Sequence, residues 1–397
     1  MRGSIQKTGK NRWRLVFDLD RGYDGKRRQK VIRFKGTKTA AETEMRMLLS
    51  EYENGGFVEP SQLTVGEFLE TWLEHITHSV SDATLIRYEA ICRNHIVPSL
   101  GKAKLQKLHP LDVQKVYSTW MNEGNKRNTL DNFGLSNRTV AYHHRVFRQA
   151  LRQAVQWKLL TINPLDAVKP PRVAKTEVNF LDKTETAILL SFLKGKADHP
   201  IILLAVTTGM RRGEVLGLRW CDVHLDAKGK NGKPDPHLRV TQSMTCVKGR
   251  AIPKEPKTAS SRRRISLPSM TVEALYKHRA EQAAVRLQFG LGRDPNDLLF
   301  TDYKGDPIIP STLSRRFSRT IKSLDIPPIS IHGLRHSHIT QLLMEGVPIK
   351  VVSERAGHSS IVMTLDKYGH VVPDMQQNAA EVIDAQLREA LAEHADI

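Results

Sequence analysis

Cysteine is scarce in this sequence: Cys92, Cys221 and Cys246 are all there are in 397 residues. An odd and scattered trio makes no disulfide frame and suits reduced thiols in a cytosol. Long apolar runs are missing as well. The longest, IILLAV from Ile201 to Val206, falls far short of the roughly 18 residues that a spanning helix needs, so no membrane role is expected. The first residues are polar and basic, which does not fit a secretory leader. No GxxxxGK[ST] or other Gly-rich nucleotide loop occurs, so ATP has no evident seat. Acidic residues are in deficit: 42 Asp and Glu against 61 Lys and Arg give a formal charge of +19. That balance favours a polyanionic partner, nucleic acid first and an anionic membrane surface second.

What is present suffices for two or three globular domains, since 40% of the residues are hydrophobic. RWRLVFDLD alternates as a strand does, and Asp24-Gly25 marks a hairpin turn within RGYDGKRRQKVIRF. A helix from about Thr39 to Glu53 follows. Met1 to Lys38 hold thirteen Lys and Arg against three Asp. So lopsided a hairpin reads as a DNA contact, with Arg12, Arg14, Lys26, Arg27 and Arg28 as candidates, or else as a merely soluble surface. Gly55, Gly56 and Pro60 mark a linker. Thr64 and Glu67 form a capping box ahead of an apolar face of Val65, Phe68, Leu69, Trp72 and Leu73. Helical patterns then continue to about Leu160. In the last of them Arg145, Arg148 and Arg152 make a basic stripe, read as a solvated face or as a DNA-backbone contact. Asn163-Pro164 and Lys169-Pro170-Pro171 form a second linker.

A second capping box, Asp182 with Glu185, opens the rest of the chain. IILLAV runs into TTGMRRGEVLGLRW, where Gly209 breaks one helix and the next starts near Arg211. Strand-like CDVHLD and HLRVTQSMTCV precede RRRISLP, and PKTASS in the turn between places Lys257 near a hairpin tip. The densest chemistry lies between Ser330 and His370. Ser330 suits an N-cap, and His332 and Arg335 sit three apart on the helix behind it. Gly357 ends a second short helix, leaving His358 in the turn beyond. Ser359 or Ser360 caps a third, which carries Tyr368 near its end. Each residue has a plain alternative. Tyr368 shares an i, i+4, i+7 stripe with Ile361 and Leu365 and, taken alone, reads more readily as a half-buried core aromatic than as a nucleophile. His332 and His336 resemble half of a zinc site, but HGLRH lacks the Glu of HExxH and no further ligand lies nearby. Neither metal nor cofactor is expected.

TGMRRGE, PKTASSRRRISLP, HGLRH, AGHSS and TLDKYGH, in this order, resemble the tyrosine recombinase family, and the layout is similar to three-domain integrases of phages and conjugative elements. The fold class that follows is multidomain α+β. A small three-stranded β-sheet plus helix spans 1–56, an all-α helical bundle spans 63–162, and a mainly α catalytic domain with a small antiparallel β-sheet spans 176–397. The resemblance implies Arg211, Lys257, His332, Arg335 and His358 around the nucleophile Tyr368. Lys254 lies close to Lys257, and Arg212 is the neighbour set aside. Ala356 stands where a larger apolar residue often precedes Gly-His, a departure that touches packing.

The chemistry implied is DNA cleavage and rejoining through a 3′-phosphotyrosyl intermediate. Arg211, Arg335 and His358 would stabilise charge on the phosphate oxygens, each donor contributing on the order of 3 kcal/mol. Lys257 is the candidate acid for the leaving 5′ oxygen. His332 is the candidate base, or an orienter of a phosphate oxygen. The resemblance further implies a bacterial cytosolic recombinase that integrates and excises a mobile element, gripping arm sites with domain one and clamping double-stranded core sites with the other two. A homotetramer on DNA, and DNA-bending and directionality accessory proteins, belong to the same expectation. The acidic amphipathic helix from Asn378, with Ile383, Leu387 and Leu391, packs in cis or docks on a neighbouring protomer. Two rivals remain: a type IB topoisomerase, distinguished by sequence-independent relaxation, and a catalytically silent regulator, which would tolerate Tyr368→Phe.

Overall fold

Period-two alternation builds the N-terminal sheet. Strands β1 (Gly3–Gly9), β2 (Arg12–Leu19) and β3 (Arg28–Lys35) pair antiparallel in that order. Leu15 and Phe17 of β2 are buried with Ala41 and Met45 of helix α1 (Lys38–Glu53), which closes one face of the sheet. Leu19 faces Arg28 in register, so β2 and β3 form an antiparallel pair. Gly25 lies between them with φ of 73°, a left-handed conformation that suits glycine. This computed structural model describes residues 3–19, 25, 27–53, 58, 60–123, 134–174, 179–255, 261–368 and 375–394. Asp24 and Lys26 fall outside them.

The helical part follows its caps. Thr64 Oγ1 accepts from the Glu67 amide at 3.3 Å, and the Glu67 carboxylate accepts from the Thr64 amide at 2.8 Å. This box starts α2 (Val65–Ile76), which buries Val65, Phe68, Leu69, Trp72 and Leu73 as the apolar spacing requires. Burial of side chains such as Phe68 and Leu69 stabilises by about 1.5–3 kcal/mol each. Next come α3 (Asp82–Ile91), a π-turn at Cys92–Ile96, α4 (Val97–Leu100), α5 (Pro110–Glu123) and α6 (Asn137–Gln156). Their common core includes Tyr117, Trp120, Phe147 and Leu151. Leu165 and Val168 belong to it too. Packing therefore runs past Asn163-Pro164, where a 3-10 turn is capped by the Asn163 side chain.

The chain divides into two compact units, Met1–Lys175 and Thr176–Ile397. The second opens with α7 (Lys183–Leu193), capped by the Asp182 and Glu185 box. Helix α8 (His199–Thr208) carries IILLAV through its core, and α9 (Arg212–Gly217) follows. Two small sheets come next, β4 (Val223–His224) with β5 (His237–Val240) and β8 (Arg263–Ser266), and β6 (Ser243–Val247) with β7 (Arg250–Lys254). Helices α10 (Ser269–Gln288), α11 (Pro310–Lys322), α12 (Ile331–Met344), α13 (Ile349–Ala356), α14 (Val362–Tyr368) and α15 (Met375–His394) complete it. No helix among the described residues is long and apolar enough to cross a membrane.

Two local expectations need correction. CDVHLD is strand only at Val223–His224, because Arg219 Nε donates to Asp222 Oδ2 at 3.0 Å and draws Trp220–Asp222 into a 3-10 turn. The second concerns the hairpin. β7 pairs with β6, while β8 pairs with β5. The hairpin tip is Lys248-Gly249, both with positive φ, as the tight two-residue turn demands. PKTASS lies instead between strands of different sheets, and Lys257 itself is outside the described residues.

Candidate active site

A left-handed glycine ends α8. Gly209 has φ of 64°, and a Cβ there would stand 2.5 Å from Cδ2 of His338. The bend turns two groups toward α12 and α13. Gly209 O accepts from Nη1 of Arg335 at 2.9 Å, and Arg211 becomes the N-cap of α9. The Arg211 amide donates to Glu214 at 2.9 Å and its Nη1 to the same carboxylate at 2.8 Å. Nη2 of Arg211 reaches the carbonyl of Gly357 at 3.0 Å.

Glu214 is the hub. Arg263 on β8 donates through Nη2 to Glu214 Oε2 at 2.8 Å and through Nη1 to Oε1 at 3.2 Å. Burial opposes the charge of Glu214, yet the hydrogen bonds and charge of Arg263, with those of Arg211, hold its pKa below the ordinary carboxylate value. Arg263 also donates through Nε to the carbonyl of Arg355 at 2.8 Å. One carboxylate thus fixes two guanidiniums, and both grip the C-terminus of α13. Gly357 follows with φ of 69°, and a Cβ there would meet Arg263 Nη1 at 2.7 Å. His358 is held in the next turn, where its Nδ1 pairs with Thr364 Oγ1 at 2.7 Å.

Ser330 caps α12 as expected, accepting from Gly333 at 3.2 Å. His332 and Arg335 share the helix but not the environment. Arg335 is only 3% exposed, whereas His332 is exposed. Burial first, and the nearby Arg211 second, pull the Arg335 guanidinium down to about 10, with Glu214 opposing. Among the described residues its Nη2 is buried without a hydrogen-bond partner. Tyr368 is 4% exposed, packed with Ile339, Leu343, Val352 and Ala356. Ile361 and Leu365, its supposed stripe-mates, are exposed, so the helical stripe is not what buries it. Burial lifts the phenol to about 12, against the pull of Arg335. The tyrosine hydroxyl meets Nδ1 of His336, and the His332 ring lies edge-on to His336 with centroids 4.9 Å apart.

The structure therefore brings Arg211, Arg335, His358 and Tyr368 together with His332 at the margin. Arg212 turns away to Ser314 on α11. Sequence reasoning passed over Glu214, Arg263 and His336. Glu214 stands at N3 behind Arg211, the capping-box spacing, and Arg263 stands two before buried Ile265 on an alternating strand. His336 was visible only as a possible zinc ligand.

The DNA-contact candidates belong to the first compact unit. Arg12 and Arg14 are exposed on the sheet face opposite α1, where Arg12 faces Lys35 and Arg14 faces Arg33. Arg27 is turned to Asp18 at 2.9 Å and Arg28 is exposed at the strand end. Arg145, Arg148 and Arg152 are exposed along α6, but Arg148 is paired with Asp166 at 2.7 Å.

A basic site of convergent guanidiniums beside a buried tyrosine, on this mainly α fold, is the kind used for phosphodiester chemistry. The chain belongs to the tyrosine recombinase, or phage integrase, family: the Phage integrase family matches residues 179–375 and the Phage integrase, N-terminal SAM-like domain matches residues 64–121. It acts on DNA as a site-specific recombinase. It is 30% identical to the tyrosine recombinase XerC-like protein of Caldanaerobacter subterraneus subsp. tengcongensis, over 95% of this chain and 97% of that one. It is 28% identical to the ICEBs1 integrase of Bacillus subtilis, over 69% and 72%. Among solved structures, the Tn1549 transposon integrase bound to transposon right end DNA shares the fold with a TM-score of 0.66 and 22% identity, over 81% of this chain and 99% of that one. A lambda integrase tetramer bound to a Holliday junction gives 0.54 and 18%, over 90% and 95%.

Proposed function

We propose that this recombinase cuts DNA with Tyr368, forming a 3′-phosphotyrosyl intermediate and a free 5′ hydroxyl, and so integrates and excises a mobile element between attachment sites. The observation that carries the reading is Nη2 of Arg335, a buried charged donor with no hydrogen-bond partner among the described residues. Such a donor is costly unless an acceptor arrives, and a phosphate oxygen is the acceptor that suits a guanidinium. Arg211 and His358 supply further donors to the same phosphate, and exposed His332 orients one of its oxygens. Lys257 protonates the leaving 5′ oxygen. Because the P–O bond energy is kept in the phosphotyrosine, rejoining needs no external energy source.

The domain assignment follows the sequence: 1–56 for arm-type sites, 63–162 for the core site, 176–397 for catalysis. The cationic sheet face supports the first, since Arg12 beside Lys35 and Arg14 beside Arg33 are like charges that a phosphate backbone would relieve. A homotetramer on two duplexes, with DNA-bending and directionality partners, in a bacterial host cytosol, completes the proposal. The test is a nicked duplex carrying the element's core site, incubated with wild type or Tyr368→Phe and run on a denaturing gel. A protein-linked 3′ end for wild type alone is the expected result. No adduct for either protein, despite tight binding of the duplex, refutes it.

A further inference from the structure

We propose that His336 is a further catalytic residue of this reaction, its Nδ1 taking the Tyr368 proton as the phenol oxygen attacks the scissile phosphorus. The inference rests on the reading of Tyr368 as nucleophile. His336 Nδ1 is in hydrogen-bond contact with the tyrosine oxygen, and the two rings lie 5.5 Å apart at 43°. Both residues are buried, at 9% and 4% exposure, so bulk water does not compete for the proton.

The other groups nearby do not offer themselves. Arg335, adjacent on α12, has donors only. His358 uses its Nδ1 on Thr364. His332 meets the edge of the His336 ring, one helical turn before it on α12. Among the described residues, the charged and titratable groups around His336 include His332 and Arg335 on its own helix, Tyr368 on α14, and Arg211, Glu214 and Arg263 beside Arg335.

For the phenol to donate, Nδ1 must be the unprotonated ring nitrogen, which places the proton of neutral His336 on Nε2. An ordinary imidazole is too weak a base to strip a phenol beforehand, so the proton moves as the new bond forms. In the forward step the Oη–P bond forms, the P–O5′ bond breaks, the phenolic proton passes to Nδ1, and the 5′ oxygen is protonated by a separate donor, Lys257. In rejoining, the 5′ hydroxyl attacks, the tyrosine leaves, and Nδ1–H returns the proton to Oη. The same nitrogen serves both directions.

The experiment measures single-turnover adduct formation by the full-length protein on a nicked core-site duplex between pH 5.5 and 8. Wild type, His336→Gln, His336→Asn and Tyr368→Phe are compared. A parallel duplex carries sulfur at the bridging 5′ position, whose thiolate departs without a proton. Wild type is expected to show a rate that rises with pH through the range where imidazoles titrate, about 5 to 8. The His336 variants are expected to be about 100-fold slower at pH 7, to lack that acidic limb, and to gain nothing from the sulfur substrate. Variant rates within threefold of wild type, a persisting acidic limb, or rescue by sulfur each overturn the role of His336. A wild-type profile without an acidic limb does so whether or not the variants fold. An adduct formed by Tyr368→Phe overturns instead the nucleophile reading on which this one stands.

Discussion

At the scale of single residues, the site depends on one carboxylate. Glu214 is 4% exposed and pairs with both Arg211 and Arg263, the latter with a side chain only 7% exposed. Removing one member of a buried pair strands the other, at a cost of about 3–5 kcal/mol. Glu214→Gln is therefore expected to lower the melting temperature of the catalytic unit sharply, and a melt indistinguishable from wild type would sink that account. Two buried histidines are expected to make the protein acid-labile. Burial lowers His143 to about 4 and His338 to about 3, against about 6.5 in an unfolded chain. Below pH 6.5 the unfolded chain takes up protons that the folded one refuses, so the stability they contribute is complete above 6.5 and drains away as pH falls. For His143 the loss by pH 4 is on the order of 3 kcal/mol. Thermal melts from pH 7 to 4.5 should show a falling midpoint; a flat profile would contradict it.

At the scale of elements, what was legible was local. Both capping boxes, the glycine stops at Gly209 and Gly357 and the Ser330 cap sit where their spacing places them. Non-local pairing was not legible. RRRISLP joins β5 from across the chain and not the strand just before it, so the expected hairpin around Lys257 dissolved into two sheets. The contact of His336 with Tyr368 spans 32 positions, and no periodicity announces it. On the N-terminal sheet, sequence gave the basic character but not the facing pairs, which add Arg33 and Lys35 to Arg12 and Arg14. Replacing Arg14 and Arg33 with Gln should lower the salt dependence of arm-site binding by about two released counterions. The same change should leave stability unchanged or raise it by a few tenths of a kcal/mol. A salt slope equal to wild type would remove this face from the DNA contact.

At the scale of the whole molecule, helix α15 leaves an apolar stripe uncovered. Val382, Ile383, Leu387 and Leu391 are 56–69% exposed. If this stripe docks on a neighbouring protomer, truncation before Met375 should abolish tetramers on paired core sites while single-site binding persists, as native gels would report. Retained tetramers would assign the helix a local role. The net charge of +19 draws any polyanion toward the chain and distinguishes no stage of the reaction. The Glu214 hub does distinguish. Three guanidiniums, Arg211, Arg263 and Arg335, share one carboxylate, leaving these four side chains with two positive charges in excess. A phosphodiester brings one negative charge, and the five-coordinate species that follows it brings two. Against these four side chains the phosphodiester leaves one positive charge unmatched, and the five-coordinate species, its phenolic proton passed to His336, matches both. Orthovanadate, which adopts that five-coordinate geometry between a 5′ hydroxyl, a 3′ hydroxyl and a phenol, should therefore bind the nicked complex more tightly than phosphate does.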